Sequence, residues 1–486
     1  MSAPAPKTAP RLAVRSLPFE SFLLPHVTLF DPSLELDAQG DLLVMDGVIE
    51  ALGEGVQAPP GIAVLAELEG CHVFPAFVDP HTHLRVPGFD YKEDLESGTT
   101  AAAAGGYGVV VGMANTDPVV DEGPVAAWVL DEAVEKAHVY VGQVGAVTKG
   151  LAGESLAELR ELCTAGVCAF SDDGRPLVQA DLLLSALRYL RGTGRPLLLH
   201  LEDLSLSRGA VMHEGKWSAR LGLRGIPIAA ETGPLSRDLE IVEYAFHEGV
   251  RMMGGATSAG SAPSAAGSLV HFQHLSAAAS VDLVANAKKA GLPVTAEVTP
   301  HHLLLTDEEV KSFDQSLKVN PPLRSEVDRR RLVEALNDGT IDCIGTDHAP
   351  HAPHEKEVPF EEASHGTVGL ETAFAALYDG LVKTGEVGLG RLIEAMSAAP
   401  CHCLGLEAPR LEKGAPANFC VAELGASWTL GRGDLRGKSR NSAFLGRKMR
   451  GRVVLTVVAG VRRYTFNPAA SGNAALHAGL EGGLHA

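Results

Sequence analysis

Histidines and aspartates recur in this sequence just after short apolar runs. Asp79-Pro80-His81-Thr82-His83-Leu84-Arg85 follows the run Val73–Val78, and Asp172-Asp173 follow Gly166–Phe170. His200 follows Pro196–Leu199, His271 and His274 belong to Leu269-Val270-His271-Phe272-Gln273-His274, and Asp347-His348 follow Ile341–Gly345. Alternate side chains of a strand share a face, so His81 and His83 converge on one point. Such a pair suits a single metal ion at ~2.0–2.1 Å from each nitrogen. Alone it carries little weight: the chain has 19 histidines, and an H-x-H pair is as readily a solvated loop. A His or Asp at the end of five separate apolar runs is much harder to explain as packing.

Alternation chooses between neighbours. Phe170 is bulky and should face outward, which puts Ala169, Ser171 and Asp173 inward and favours Asp173 over Asp172. His274 lies further along its run than His271, which reads as a packing residue, as do His301 and His302. The resulting set is His81, His83, Asp173, His200, His274 and Asp347. Borderline metals bind such N/O mixtures, with Zn²⁺ the default. Six ligands exceed the needs of one four-coordinate ion. Two ions ~3.5–4 Å apart, bridged by a water or hydroxide, are the natural solution. Asp173 is the expected bridging ligand, and Asp347 is expected to bind one ion and face the hydroxide.

Residues scattered over nearly 270 positions can meet only if the fold gathers them. Eight apolar runs alternate with helical patterns: Val73–Val78, Val109–Met113, Val139–Val147, Gly166–Phe170, Pro196–Leu199, Leu269–Phe272, Pro293–Val298 and Ile341–Gly345. Eight β/α repeats predict an α/β fold, a closed (β/α)₈ barrel of the TIM type, whose active-site residues sit at the C-terminal ends of the strands. Outside the barrel the texture is β. Ser21–Phe30, Asp41–Met45 and Val48–Leu52 read as strands, with Asp46-Gly47 a hairpin turn between the last two. Asn418–Glu423 and Gly451–Tyr464 read likewise. The expected organisation is a barrel at 74–410, inserted in a small β-sandwich domain formed by 11–73 and 411–465. Residues 1–10 and 466–486 are expected to be tails, and the Gly/Ser/Ala-rich stretch 254–268 a mobile loop.

Composition bounds the partners. The formal charge is 41 − 60 = −19, which argues against nonspecific nucleic-acid binding and against docking on anionic membranes. The run Ala101–Ala114 is broken by glycine and shorter than the ~20 residues a membrane span needs. Seven cysteines without a C-x-x-C motif suit a reduced, cytoplasmic protein, with Cys401 and Cys403 as packing residues.

PAFVDPHTHLR, MANTDP, FSDDG, LHLED, HFQHLS, EVTPHHLLL, KVNPPLRS, TDHAPH and GTVGLETAF occur in this order. This series resembles the amidohydrolase superfamily and, within it, the type I dihydroorotases, over residues 11–465. The resemblance implies reversible zinc-dependent cyclisation of N-carbamoyl-L-aspartate to L-dihydroorotate, in pyrimidine synthesis. It implies that Asp347 moves the proton between attacking water and ring nitrogen. Arg85 shares the parity of His81 and His83, and its planar cation suits the substrate carboxylate. Asn115, Asn320 and His351 match the family's other substrate contacts. A homodimer, and for some relatives association with aspartate transcarbamoylase, are further implications. Two rival readings differ in their requirements. Hydantoinases and allantoinases usually bridge their metals with a carboxylated lysine from the fourth strand, and Gly166–Asp173 contains none; Lys149 lies after the third run. Non-catalytic scaffold relatives have lost metal ligands, and this chain keeps all six. Two departures from the family pattern are the stretch 254–268 and Ala417-Asn418, where Ala-Asp is usual.

Overall fold

The computed structural model describes residues 9–252 and 268–467. The stretch 254–268 falls almost wholly outside the described residues, as do 1–8 and 468–486.

Eight parallel strands form the barrel: Phe77–Thr82, Tyr107–Gly112, Tyr140–Gly145, Ala169–Phe170, Leu197–Leu199, Val270–Phe272, Val294–Val298 and Cys343–Ile344, each hydrogen-bonded to the next. The ring is completed between the first and eighth strands by a parallel bridge of Thr82 with His348, where His83 N–H donates to the His348 carbonyl at 2.9 Å. Helices lie between the strands and cover them. In helix Glu326–Asp338, Leu332, Val333, Ala335 and Leu336 are buried, the stripe a helix needs to cover a sheet. Among the described residues no helix is long and apolar enough to cross a membrane.

Both chain ends contribute to a second, eight-stranded sheet. Phe22–Asp31 pairs with Leu36–Met45, which pairs with Val48–Gly53; His72–Pro75 then joins Phe22–Asp31 to Phe419–Thr429, Lys448–Val458 and Val461–Thr465. Met45 pairs with Val48 across Asp46 (φ 48°) and Gly47 (φ 85°), the two left-handed residues that a tight hairpin requires. Leu24, Val44 and Ile49 from one end of the sheet share a core with Phe419, Leu455 and Val457 from the other, so the sheet curls over its own interior. Where it meets the barrel, Phe77 stacks on Phe374 with centroids 5.4 Å apart, and Phe74 lies 5.8 Å from the same ring.

The structure corrects three boundary expectations. The run Val73–Val78 is not one strand. His72–Pro75 belongs to the outer sheet, and the first barrel strand begins at Phe77. Pro75 has no N–H with which to extend a ladder, so the chain changes sheets there. Ala13 bridges barrel residue Val141 rather than joining the outer sheet. Phe466 is not loose tail: its ring lies 3.9 Å from the Arg452 guanidinium.

Candidate active site

The polar residues at the strand ends do converge. His81 is inside the first strand, and His83 and Arg85 lie just beyond its end at Thr82. Arg85 (φ 63°), His274 (φ 32°) and Asp347 (φ 48°) all have left-handed backbone. Non-glycine residues rarely adopt it, and the strain is held by the surrounding barrel. These turns, rather than continued strand alternation, aim the three side chains.

His81 Nε2 lies 3.4 Å from Asp173 Oδ1 and 3.6 Å from Asp347 Oδ1. His83 Nε2 lies 3.0 Å from Asp347 Oδ1 and 3.5 Å from Asp173 Oδ2. On the other side, His200 Nδ1 and His274 Nε2 are 2.9 Å apart and each 3.8 Å from Asp173 Oδ1. Asp173 thus stands between two histidine pairs. Two overlapping groups, His81–His83–Asp347 and His81–Asp173–His274, could each hold a metal ion. The buried Nε2 of His81 has no hydrogen-bond partner, as a lone pair reserved for a metal would leave it. Burial opposes the charged form of Asp173 and Asp347, yet His81 and His83 hold both carboxyls below their ordinary range. Two buried carboxylates facing imidazole nitrogens make a candidate cation site.

Carboxylates behind the histidines complete the arrangement. Glu297, on the seventh strand, lies 2.6 Å from His81 Nδ1 and 3.2 Å from His271 Nε2, and accepts the His274 N–H. Burial works against its charge, but His81 and His271 bring it down to about 2. Glu202 Oε2 lies 3.0 Å from His200 Nε2 and accepts Asn320 Nδ2–H at 2.9 Å. Each glutamate fixes the nitrogen its histidine turns to the centre. Sequence reasoning did not single out either one. The signal was their place beside a candidate ligand in LHLED and at the head of EVTPHH, on the seventh strand.

Most of the remaining polar groups have local work. Asp172 turns away and accepts the N–H groups of Val147 and Thr148. His302 lies against Thr299 Oγ1 and the Pro321 carbonyl. His301 is buried beside it, with rings 4.6 Å apart. A third group, His271–Cys343–Cys403, lies deeper, and Thr295 and Glu297 already occupy both ring nitrogens of His271. Lys149 pairs with Glu158.

Above the cluster is a cleft of about 270 Å³ lined by Arg85, Asn115, Asn320 and His351 as well as by the candidate ligand residues other than His81. Asn115 also braces the cluster, with Oδ1 3.1 Å from His83 Nδ1 and Nδ2 donating to Asp173 Oδ2. His365 and Gly366 line the same cleft and were not anticipated, because they lie on a loop with no strand pattern to place them.

Residues 72–463 match the Amidohydrolase family. A dihydroorotase from Citrifermentans bemidjiense is 42% identical over 432 residues, 89% of this chain and 96% of the relative. One from Anaeromyxobacter dehalogenans is 43% identical over 434 residues, 89% and 95% of the two chains. The chain belongs to the dihydroorotase family. Solved structures share its fold: L-hydantoinase from Arthrobacter aurescens superposes with a TM-score of 0.77 at 23% identity, covering 91% of this chain and 96% of the other. D-hydantoinase from a Thermus species gives 0.72 at 22% identity, covering 92% and 97%. Those likenesses speak to architecture alone. The dihydroorotase family is metal-dependent, and the two groups in the barrel mouth give this chain a place for metal.

Proposed function

We propose that this chain catalyses the reversible cyclisation of N-carbamoyl-L-aspartate to L-dihydroorotate with loss of water, using two Zn²⁺ ions. The observation that carries the reading is Asp173 standing between His81/His83 and His200/His274, beneath a cleft lined by Arg85. His81, His83 and Asp347 would hold one ion, His200 and His274 the other, and Asp173 both. Bound there, such ions supply Lewis acidity, lowering the pKa of water and polarising the amide carbonyl. Asp347 is the proton carrier: in hydrolysis it accepts the proton of the attacking water and returns it to the departing ring nitrogen. Arg85 grips the substrate carboxylate, while Asn115, Asn320 and His351 orient the ring from the cleft walls.

A hydantoinase reading accounts less well for Arg85, since hydantoins carry no ring carboxylate. It would also look for a lysine on the fourth strand, Ala169–Phe170, and its flanks hold none. The proposal includes a cytoplasmic location, supported by seven free cysteines, a homodimer, and association with aspartate transcarbamoylase as in some relatives. The test is turnover of dihydroorotate and of hydantoin by the purified chain alone, with metal content measured on the same sample. Dihydroorotate hydrolysis with two zinc ions per chain is expected. Preference for hydantoin, or inactivity at full metal loading both alone and with aspartate transcarbamoylase added, would reject it.

A further inference from the structure

Part of the cleft wall is built by two loops, 349–351 after the eighth strand and 364–367. Both are held by a residue from outside the barrel. Asn441 lies between the outer-sheet strands Phe419–Thr429 and Lys448–Val458, and it is 7% exposed. Its Oδ1 accepts the His351 N–H at 3.3 Å, and its Nδ2 donates to the Ala349 carbonyl at 3.1 Å and the Gly366 carbonyl at 3.2 Å. An amide side chain has two donors and a carbonyl acceptor, and here all of them tie one loop to the other. The Asn441 carbonyl also accepts Thr367 Oγ1–H and the Val368 N–H, each at 3.0 Å.

Neighbouring contacts act in the same direction. Ser439 Oγ donates to the His351 carbonyl at 2.9 Å. His351 Nε2 lies 2.8 Å from the His365 carbonyl, and Lys356 Nζ donates to the carbonyls of Ser364 and Gly366. Gly366 is left-handed (φ 136°), and a Cβ there would come within 2.7 Å of the Ala349 Cβ and 3.0 Å of His351 Nε2. The two loops are therefore in direct contact. The first of them also holds Arg85, whose Nε donates to the Pro350 carbonyl at 3.2 Å.

We propose that Asn441 is a positioning residue for substrate, locking loop 349–351 to loop 364–367 and thereby setting the spacing of Arg85, His351 and His365 around the cleft. The proposal rests on the dihydroorotase reading. Its amide makes no contact with the metal-binding groups, so its loss should act on substrate binding and leave metal alone.

Asn441→Asp keeps the volume but turns a donor facing two carbonyls into an acceptor. We expect KM for dihydroorotate to rise by about tenfold or more, with kcat within a few-fold and metal content unchanged. Ser439→Ala, which removes one bond of the same lock, should raise KM less. A purely structural role would lower Tm and the active fraction, hence apparent kcat, with KM unchanged. Should Asn441→Asp not fold, Asn441→Ser, which retains one donor, carries the same measurement. Wild-type KM in the folded Asn441 variant overturns the proposal. Failure of the metal-loaded wild-type chain to hydrolyse dihydroorotate, alone and with aspartate transcarbamoylase, overturns instead the functional reading.

Discussion

In the proposed reaction three side chains have separate tasks, and each should leave a different trace when changed. Arg85 offers a planar fork to a carboxylate, which a lysine cannot reproduce. Arg85→Lys should lower kcat/KM for dihydroorotate by on the order of 10²-fold with metal content unchanged; near-normal kinetics would remove Arg85 from the site. As the proposed proton carrier, Asp347 would begin ionised for hydrolysis and protonated for synthesis. Burial disfavours its charge, but His83, His81 and His274 hold the carboxyl below its ordinary range, so it is ionised at neutral pH, the form hydrolysis needs. Cyclisation also takes up a proton overall, so lower pH favours ring closure and higher pH favours opening. Asp347→Asn should abolish both directions, since an amide cannot carry the proton. Wild-type turnover either way, with metal retained, would end its role as proton carrier. Glu297, 2.6 Å from His81 Nδ1, would act through that histidine. Glu297→Gln should weaken metal binding roughly 10–100-fold, measured by competition with a chromogenic chelator. Unchanged affinity would make Glu297 a packing residue.

At the scale of the element, loop 364–367 depends on a buried amine. Lys356 is 6% exposed, and its Nζ donates to two carbonyls of that loop. Burial, followed by the nearby charge of Lys318, pulls its pKa down to about 7 from the ordinary 10.5. Between those values the unfolded chain carries a proton on this amine that the folded chain does not. Stability from this group therefore rises with pH across the window from about 7 to about 10, by at most ~1.4 kcal/mol per pH unit. The Tm difference between wild type and Lys356→Met should shift in favour of wild type over that range. A difference that stays flat, or moves the other way, would mean that Lys356 keeps an ordinary pKa in the fold.

For the whole molecule, the proposed metal centre and the barrel are expected to depend on one another. The first and eighth strands meet through the Thr82–His348 bridge, beside His81, His83 and Asp347. Without metal, the buried Asp173 and Asp347 would face each other with only their histidine neighbours to offset the charge. Chelation should lower Tm reversibly, and zinc at 100 times its Kd should restore about 2.7 kcal/mol. An apo-protein with unchanged Tm would separate the metal site from fold stability. The outer sheet is joined to this system too, through Phe74 and Phe77 at the barrel base and through Asn441 at its mouth.

The apolar rhythm by itself determined the barrel, because eight runs at β/α spacing have few other ways to bury themselves. It likewise indicated an outer sheet drawn from both ends, and the hairpin at Asp46-Gly47, whose residue types are the ones that tolerate left-handed backbone. Alternation pointed to Asp173 at the site, and the structure places that residue among the histidines while Asp172 caps the turn at Val147–Thr148. Other features were invisible in one dimension. The break at Pro75 depends on which sheet offers the better partner on each side. Glu202 and Glu297 have no spacing of their own; they matter because a histidine from the same or another strand lies within 3 Å. The left-handed turns that aim Arg85, His274 and Asp347 are local strain that only the assembled barrel can hold. Asn441 reaches the loops of the cleft wall from 90 residues beyond His351, and no period in the chain connects the two. Local pattern decides which elements form and which faces they bury, whereas a site built across strand ends is decided by closure of the ring that brings those ends together.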